Sequence, residues 1–123
     1  RYDVGLELAR ATHATVLLKG VPTVLSAPDG RRLVSASGTP VLAAAGSGDL
    51  LSGIAATLVA QMDDALHAGA CAAWVHGRAA ELAGAGAVRG VTLRDVRRAL
   101  PRAWREWPRT GAYPVLGELP AIP

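Results

Sequence analysis

The chain has 123 residues, 50% of them hydrophobic, with one Cys, no Phe and a formal charge of +3. That length holds one small domain with a modest core, and that apolar share excludes a disordered chain. A single cysteine excludes an internal disulfide and fits a reducing cytoplasm; no signal segment opens the sequence and no apolar run reaches the roughly 18–20 residues of a membrane span.

The positive charge is almost all Arg and is scattered, so it reads as solvated surface and not as a nucleic-acid face. The first ten residues lack an initiator Met. Val4 to Ala11 predicts an amphipathic helix with Val4, Leu8 and Ala11 on one face. It reads as the middle of a longer chain. Thr15-Val16-Leu17-Leu18 suits a buried strand of a parallel sheet, ending at Lys19-Gly20. Thr23 to Ala27 is a second strand, Pro28-Asp29-Gly30-Arg31 carries the Asp-Gly turn signal, and Arg32 to Ala36 returns as its hairpin partner. Ser37 to Pro40 is loop.

The run from Leu42 to Ile54 passes from apolar residues through Gly46-Ser47-Gly48 into a helix that extends to about Gln61. Leu51, Ile54, Leu58 and Met62 form a stripe, extended by Leu50, Ala55 and Val59. A helix apolar nearly all round predicts burial. Asp63-Asp64 then caps a helix over about Ala65 to Ala83, where Ala68, Gly69, Ala72, Ala73 and Ala80 allow close approach of another backbone. Gly84-Ala85-Gly86 ends it. Cys71 in this run reads as a buried, inert thiol. Thr92 and Asp95 resemble a capping box for a last helix with Leu93, Val96, Leu100 and Trp104 in a stripe. Pro101 predicts a kink or break in it. Pro108 to Pro123 is Pro-rich and poorly patterned, a tail either packed on the surface or loose. The domain therefore divides as 1–107 and a tail of 108–123.

Two motifs carry chemistry. Gly46 and Gly48 let an anion approach the main chain, and the first N–H groups of the helix point outward along a dipole that favours negative charge. Asp49 beside such a site suits a proton to abstract or a metal. The same string is also compatible with a plain helix cap, and without Gly-Lys-Ser/Thr it is not a P-loop. Lys19, at a strand end followed by Gly20, can neutralise phosphate, with the Thr23 hydroxyl nearby, or can simply reach water. His76 in an Ala-rich helix reads as a hydrogen-bonded core or interface residue. No His/Cys/Asp grouping has zinc spacing, so no metal-ligating residues are assigned. Trp74, Trp104 and Trp107 read as core or interface anchors.

Taken together these motifs resemble a known family. Leu17-Leu18-Lys19-Gly20-Val21-Pro22-Thr23-Val24 resembles the LKG..T strand of the ribokinase-like superfamily, and Pro28-Asp29-Gly30 its hairpin turn. Ala44 to Ile54 resembles its GSGD signature. Trp74-Val75-His76-Gly77-Arg78-Ala79-Ala80-Glu81-Leu82-Ala83 and Val91 to Leu100-Pro101 resemble the closing helices of one branch, the NAD(P)H-hydrate dehydratases. These form the C-terminal half of bifunctional nicotinamide nucleotide repair enzymes. The resemblance reaches about Trp104. It implies an α/β fold, the C-terminal half of a ribokinase-like domain, with sheet strands and a hairpin followed by packed helices. It implies ADP or ATP with Mg²⁺, NADH hydrate or NADPH hydrate as substrate, a homo-oligomer, and an upstream epimerase domain in the same chain. Asp49 becomes the base. Gly46, Ser47 and Gly48 become the anion hole, and Lys19, Gly20, Val21, Pro22 and Thr23 the nucleotide-binding strand end. The family's upstream Thr-Pro-His and following Glu have no counterpart here, and Ser35-Ala36-Ser37 stands where an Asn is usual. Two other readings share these residues: a kinase of a thiamin-precursor alcohol, and a truncated, non-catalytic nucleotide-binding module.

Overall fold

The hairpin predicted at Asp29-Gly30 forms the middle of a four-stranded sheet. In the computed structural model, which describes residues 2–87, 89–106 and 116–123, β2 (Thr23–Ser26) pairs antiparallel with β3 (Arg32–Ser35) in the register Thr23↔Ser35 to Ser26↔Arg32. The turn is closed locally: Ala27 N–H donates to the Arg31 carbonyl at 2.9 Å, and the Asp29 side chain accepts from Arg31 N–H at 3.0 Å. Such an Asx turn is what this residue type favours.

β1 (Val16–Leu18) adds to β2 and β4 (Leu116–Leu119) adds to β3, giving the order β1-β2-β3-β4. All three pairings are antiparallel, which corrects the parallel sheet expected around β1. The reason is the short link from Leu18 to Thr23: a parallel neighbour needs a crossover of a dozen or more residues. β1 is also half-buried, as its place at the sheet edge dictates. The Pro-rich tail likewise differs from expectation, since Leu116–Leu119 is a strand of the sheet; residues 107–115, Trp107 among them, lie outside the described residues.

Alternation along the strands sorts the two faces of the sheet. On one face, α1 (Tyr2–Thr12) lies close enough that a Cβ on Gly5 would meet Leu18 and Ser26 at 3.1 Å. Its buried side is Gly5, Leu6 and Ala9; Val4 and Leu8, the face picked out by periodicity, point outward at 56% and 46% exposure. On the other face, Leu25, Ala27 and Leu33 pack with Leu66 and Ala70 of α3 (Ala65–Gly84). A Cβ on Gly69 would come within 2.7 Å of Leu25 Cδ2, so the small residues of α3 do set how near the helix lies to the sheet. Asp64 caps α3, accepting from Leu66 N–H at 2.8 Å and His67 N–H at 3.3 Å.

The far side of α3 builds a second core. Trp74, Val75, Ala79 and Ala80 pack with Val96, Ala99 and Ala103 of α4 (Leu93–Glu106) and with Val41. The predicted capping box is present: Thr92 N–H donates to Asp95 Oδ2 at 2.9 Å and Asp95 N–H to Thr92 Oγ1 at 3.4 Å. Helix α4 runs through Pro101, against the expected break. Pro101 and Arg97 are both exposed, so water can satisfy the carbonyl that proline leaves without a donor. Trp104 of the predicted stripe is 40% exposed and is no core anchor, whereas Trp74 is 2% exposed.

α2 (Ser47–Val59) departs furthest from expectation. Of its residues only Ser47 and Leu51 are buried, and Val59 is 49% exposed. The stripe of Ile54, Leu58 and Met62 is half-buried, and α2 packs against α3. An all-round apolar composition therefore does not mean a covered helix here. Cys71, expected to be buried, is half-buried; burial pushes its thiol up from its ordinary value. Among the described residues no helix is long and apolar enough to cross a membrane.

Candidate nucleotide site at the start of helix α2

The start of α2 is an open, uncapped helix end. Gly46 is its N-cap in the left-handed region, φ 81°, with no side chain to bond the first amides. A short helical turn, Pro40–Ala43, leads into it. Ser47 N–H is used by the Ala44 carbonyl at 3.3 Å, which leaves the amides of Gly48 and Asp49 at the helix end. A Cβ built on Gly48 meets nothing within 4 Å. Asp49 is exposed, and its Oδ2 lies 4.0 Å from a Cβ placed on Gly46. The carboxylate thus stands in the open beside the free amides, as an anion site with a base requires.

Lys19 is tied to this turn. Its Nζ donates to Ser47 Oγ at 2.8 Å and to the Leu42 carbonyl at 2.9 Å, and Ser47 Oγ donates to the same carbonyl at 2.6 Å. The end of β1 is thereby joined to the start of α2. The Thr23 side chain folds back on its own turn. Its hydroxyl donates to the Gly20 carbonyl at 3.1 Å and accepts from Gly20 N–H at 3.3 Å, so it shapes the turn instead of reaching outward. Val21, at the tip of the Lys19–Pro22 turn, is 91% exposed.

Beside the helix end lies a largely apolar pocket of about 180 Å³. Lys19, Gly20, Val21 and Thr23 form one wall; Ser37, Gly38, Thr39 and Pro40 form another; Leu42, Leu51, Ala73 and His76 close it. The second wall is anchored to α3: Ser37 Oγ donates to the Trp74 carbonyl at 3.1 Å and Gly38 N–H to Glu81 Oε1 at 2.8 Å. Glu81 in turn holds Arg78 at 2.8 Å, and Arg78 reaches Glu106 at 2.7 Å. Lys19, Gly20, Val21 and Thr23 of the predicted set line the pocket, while Gly46, Gly48 and Asp49 stand outside it at the neighbouring helix end.

Ser37, Thr39 and His76 were not singled out as site residues by the sequence. The one available signal was His76 itself, the histidine among alanines. It is 2% exposed, yet its Nε2 has no hydrogen-bond partner among the described residues. Burial above all, with the Lys19 ammonium adding to it, pushes its pKa down to about 4, opposed by a hydrogen bond to the Ser47 backbone. No cluster of three or more His, Cys, Asp or Glu able to hold a metal ion occurs among the described residues.

A family model described as NAD(P)H-hydrate dehydratase matches residues 1–102. A bifunctional NAD(P)H-hydrate repair enzyme of Thermofilum pendens is 40% identical over 112 residues, covering 85% of this chain and 20% of that protein. An ADP-dependent (S)-NAD(P)H-hydrate dehydratase of Neisseria meningitidis is 46% identical over 69 residues, covering 56% of this chain and 23% of the relative. Among solved structures, the ADP/ATP-dependent NAD(P)H-hydrate dehydratase of Bacillus subtilis, co-crystallised with ATP and Mg²⁺, superposes with a TM-score of 0.81 at 30% identity. The match covers 87% of this chain and 39% of that one. The chain thus spans about a fifth of the length of these curated relatives and about two fifths of the solved structure.

Proposed function

This chain belongs to the NAD(P)H-hydrate dehydratase family, and we propose that it supplies the nucleotide-binding and base-bearing part of an ADP-dependent dehydration of NADH hydrate or NADPH hydrate. The observation that carries the reading is the exposed Asp49 carboxylate at the uncapped N-terminus of α2, next to the pocket that Lys19 helps to wall. The relatives' names supply the chemistry: one is ADP-dependent and acts on the (S)-hydrate.

In this reading the terminal phosphate of the nucleotide lies against the amides of Gly48 and Asp49. Those donors are fixed before the ligand arrives, so no reorganisation is needed as charge shifts during transfer. Asp49 takes the proton of the ring hydroxyl. The hydroxyl oxygen bonds to the terminal phosphorus as the bond to the bridging oxygen breaks. The resulting phosphate ester is a good leaving group, and its departure with loss of a ring proton restores the reduced nicotinamide. Phosphoryl transfer of this kind asks the protein mainly for position and charge compensation. Lys19 contributes by fixing Ser47, and with it the first turn of α2, where the phosphate must land.

The donor set fits Mg²⁺ in one way only. The described residues offer no carboxylate cluster, and Mg²⁺ on a nucleotide needs no more than one or two protein carboxylates besides phosphate and water. Asp49 is taken up by its role as base, so the ion would be held by the nucleotide's phosphates and by water, where it would neutralise phosphate charge.

The test is Asp49→Asn assayed with ADP, Mg²⁺ and NADH hydrate, following the absorbance of reduced nicotinamide. Turnover falls at least ~100-fold, the usual contribution of a positioned base, while ADP affinity stays within about threefold. Turnover that survives the substitution overturns the role of Asp49. ADP that fails to bind the unsubstituted chain overturns the nucleotide site.

A further inference from the structure

The positive charge that is scattered along the sequence is gathered by helix α4, which carries Arg94, Arg97, Arg98, Arg102 and Arg105. The acids of the same helix are already committed. Asp95 Oδ2 accepts from Thr92 N–H at 2.9 Å and from the Thr92 hydroxyl at 2.6 Å, and Glu106 holds Arg78 at 2.7 Å. Asp95 is drawn to Arg98 and Arg94 only through space. Arg94 and Arg97 are both exposed, and neither makes an ion pair or a hydrogen bond among the described residues. At three positions apart they are neighbours on one helix face, where like charges repel unless an anion lies between them.

These two arginines line an open groove between α2 and α4. Its volume is about 280 Å³, and its other walls are Leu50 and Leu93. That is room for a phosphate group and several waters, each of which fills about 30 Å³. The groove reaches the turn before α2, since a Cβ on Gly46 would lie 3.1 Å from Leu93 Cδ2. It shares no lining residue with the pocket of Lys19 and His76. Leu51 belongs to that pocket and Leu50 to this groove, and successive helical residues point about 100° apart. The two recesses therefore flank the start of α2 on different sides. The planar fork of a guanidinium matches phosphate oxygens two at a time. We propose that the groove between α2 and α4 is a second phosphate-binding site, in which Arg94 and Arg97 hold the phosphate over a floor of Leu50 and Leu93. A phosphate there has two sources: the dinucleotide whose ring is brought to Asp49, or free phosphate released by the reaction. The site itself stands without the nucleotide reading above; only the naming of these two sources rests on it.

The test is an NMR titration of the full chain at low salt, with inorganic phosphate and NADPH as separate probes. NADPH carries the phosphates of the hydrate without its ring hydroxyl. The signals read are Nε–H of Arg94 and Arg97 and the amides of Leu50 and Leu93. All of them shift in the unsubstituted chain. Arg94→Gln combined with Arg97→Gln weakens binding at least ~10-fold, as loss of charge-assisted bonds requires. Arg98→Gln removes charge from the same helix outside the groove and leaves affinity within about twofold, the weight of a solvated charge. Tighter binding of NADPH supports the proposal with the dinucleotide as source; phosphate bound at least as tightly supports it with free phosphate as source. An equal loss in Arg98→Gln, or shifts that miss these residues, overturns the proposal and leaves diffuse surface charge. ADP affinity is unchanged in the double variant; a parallel loss overturns the separation of the two sites. A chain that binds phosphate in this groove but does not bind ADP overturns the nucleotide reading and leaves this site standing.

Discussion

At the scale of single residues the energetic weight falls on groups taken out of water. His76 is held neutral, with a pKa of about 4 in the folded chain against an ordinary value of 6.5. As pH falls through that interval the unfolded chain binds the proton and the folded chain does not. Stability is therefore complete above the ordinary value and declines toward the lowered one, by about 1.4 kcal/mol per pH unit. Between about pH 7 and about pH 5 the expected loss is about 2 kcal/mol, read from urea midpoints. His76→Phe flattens that dependence. The carboxylates of Asp29, Asp64 and Asp95, all held below the usual range mainly by bonds to Arg31 or Thr92, act in a separate window. Their contributions are present above the ordinary carboxylate value and are lost as pH falls through their lowered ones. A slope that persists between about pH 7 and about pH 5 in His76→Phe assigns it to other groups.

At the scale of elements the decisive contacts are close approaches of backbone. A Cβ at Gly77 would lie 2.5 Å from the Ser37 carbonyl carbon and oxygen. Those are backbone atoms of the wall that carries Ser37, Gly38 and Thr39, and they cannot rotate away. Gly77→Ala is expected to cost about 2–3 kcal/mol, the range of an overpacked site, and to weaken nucleotide binding because the wall must shift. Gly69→Ala meets only the end of Leu25 at 2.7 Å, a side chain that can turn, so its cost is about 1 kcal/mol with binding unchanged. Chemical denaturation with parallel ADP titrations separates the two; equal effects on binding remove the link between Gly77 and the pocket wall.

The same contrast explains what the sequence made legible. The Asp29-Gly30 hairpin, the Asp64 cap and the Thr92–Asp95 box were readable because each is closed by partners within three residues. The glycine turn before α2 was readable for the same reason. The pocket was only half readable. Lys19 and Ser47 stood out as motif residues, but the bond between them spans 28 positions, and Ser37 reaches Trp74 across 37. The exposure of α2 was hidden because periodicity counts apolar side chains and cannot tell which of them a neighbour covers. Pro101 misled because the cost of a helical proline depends on whether water reaches the orphaned carbonyl.

At the scale of the whole molecule the last eight residues tie layers together without touching the site. β4 covers the edge of β3. Beyond it, the Pro120 carbonyl accepts from Arg32 Nη2 at 2.8 Å and the Ile122 carbonyl from Arg10 Nη2 at 2.7 Å. Arg32 is 7% exposed and its Nε has no partner among the described residues; its nearest carboxylate, on Asp3, stands at 3.9 Å and is largely in solvent. Pro120 is thus the main compensation for a buried guanidinium. Removing residues 116–123 is expected to destabilise the chain by at least about 2 kcal/mol, the cost of taking a partner from a buried charged donor, and to expose the edge of β3 to pairing with another chain. None of these residues lines the pocket, so ADP affinity at low temperature should be unchanged. Arg32→Met separates the two effects. It removes the buried charge while keeping an apolar stem of similar length, and in the shortened chain it should recover stability without restoring the covered edge. A shortened chain that melts like the full one, or one in which Arg32→Met recovers nothing, would show that the sheet does not depend on this closure.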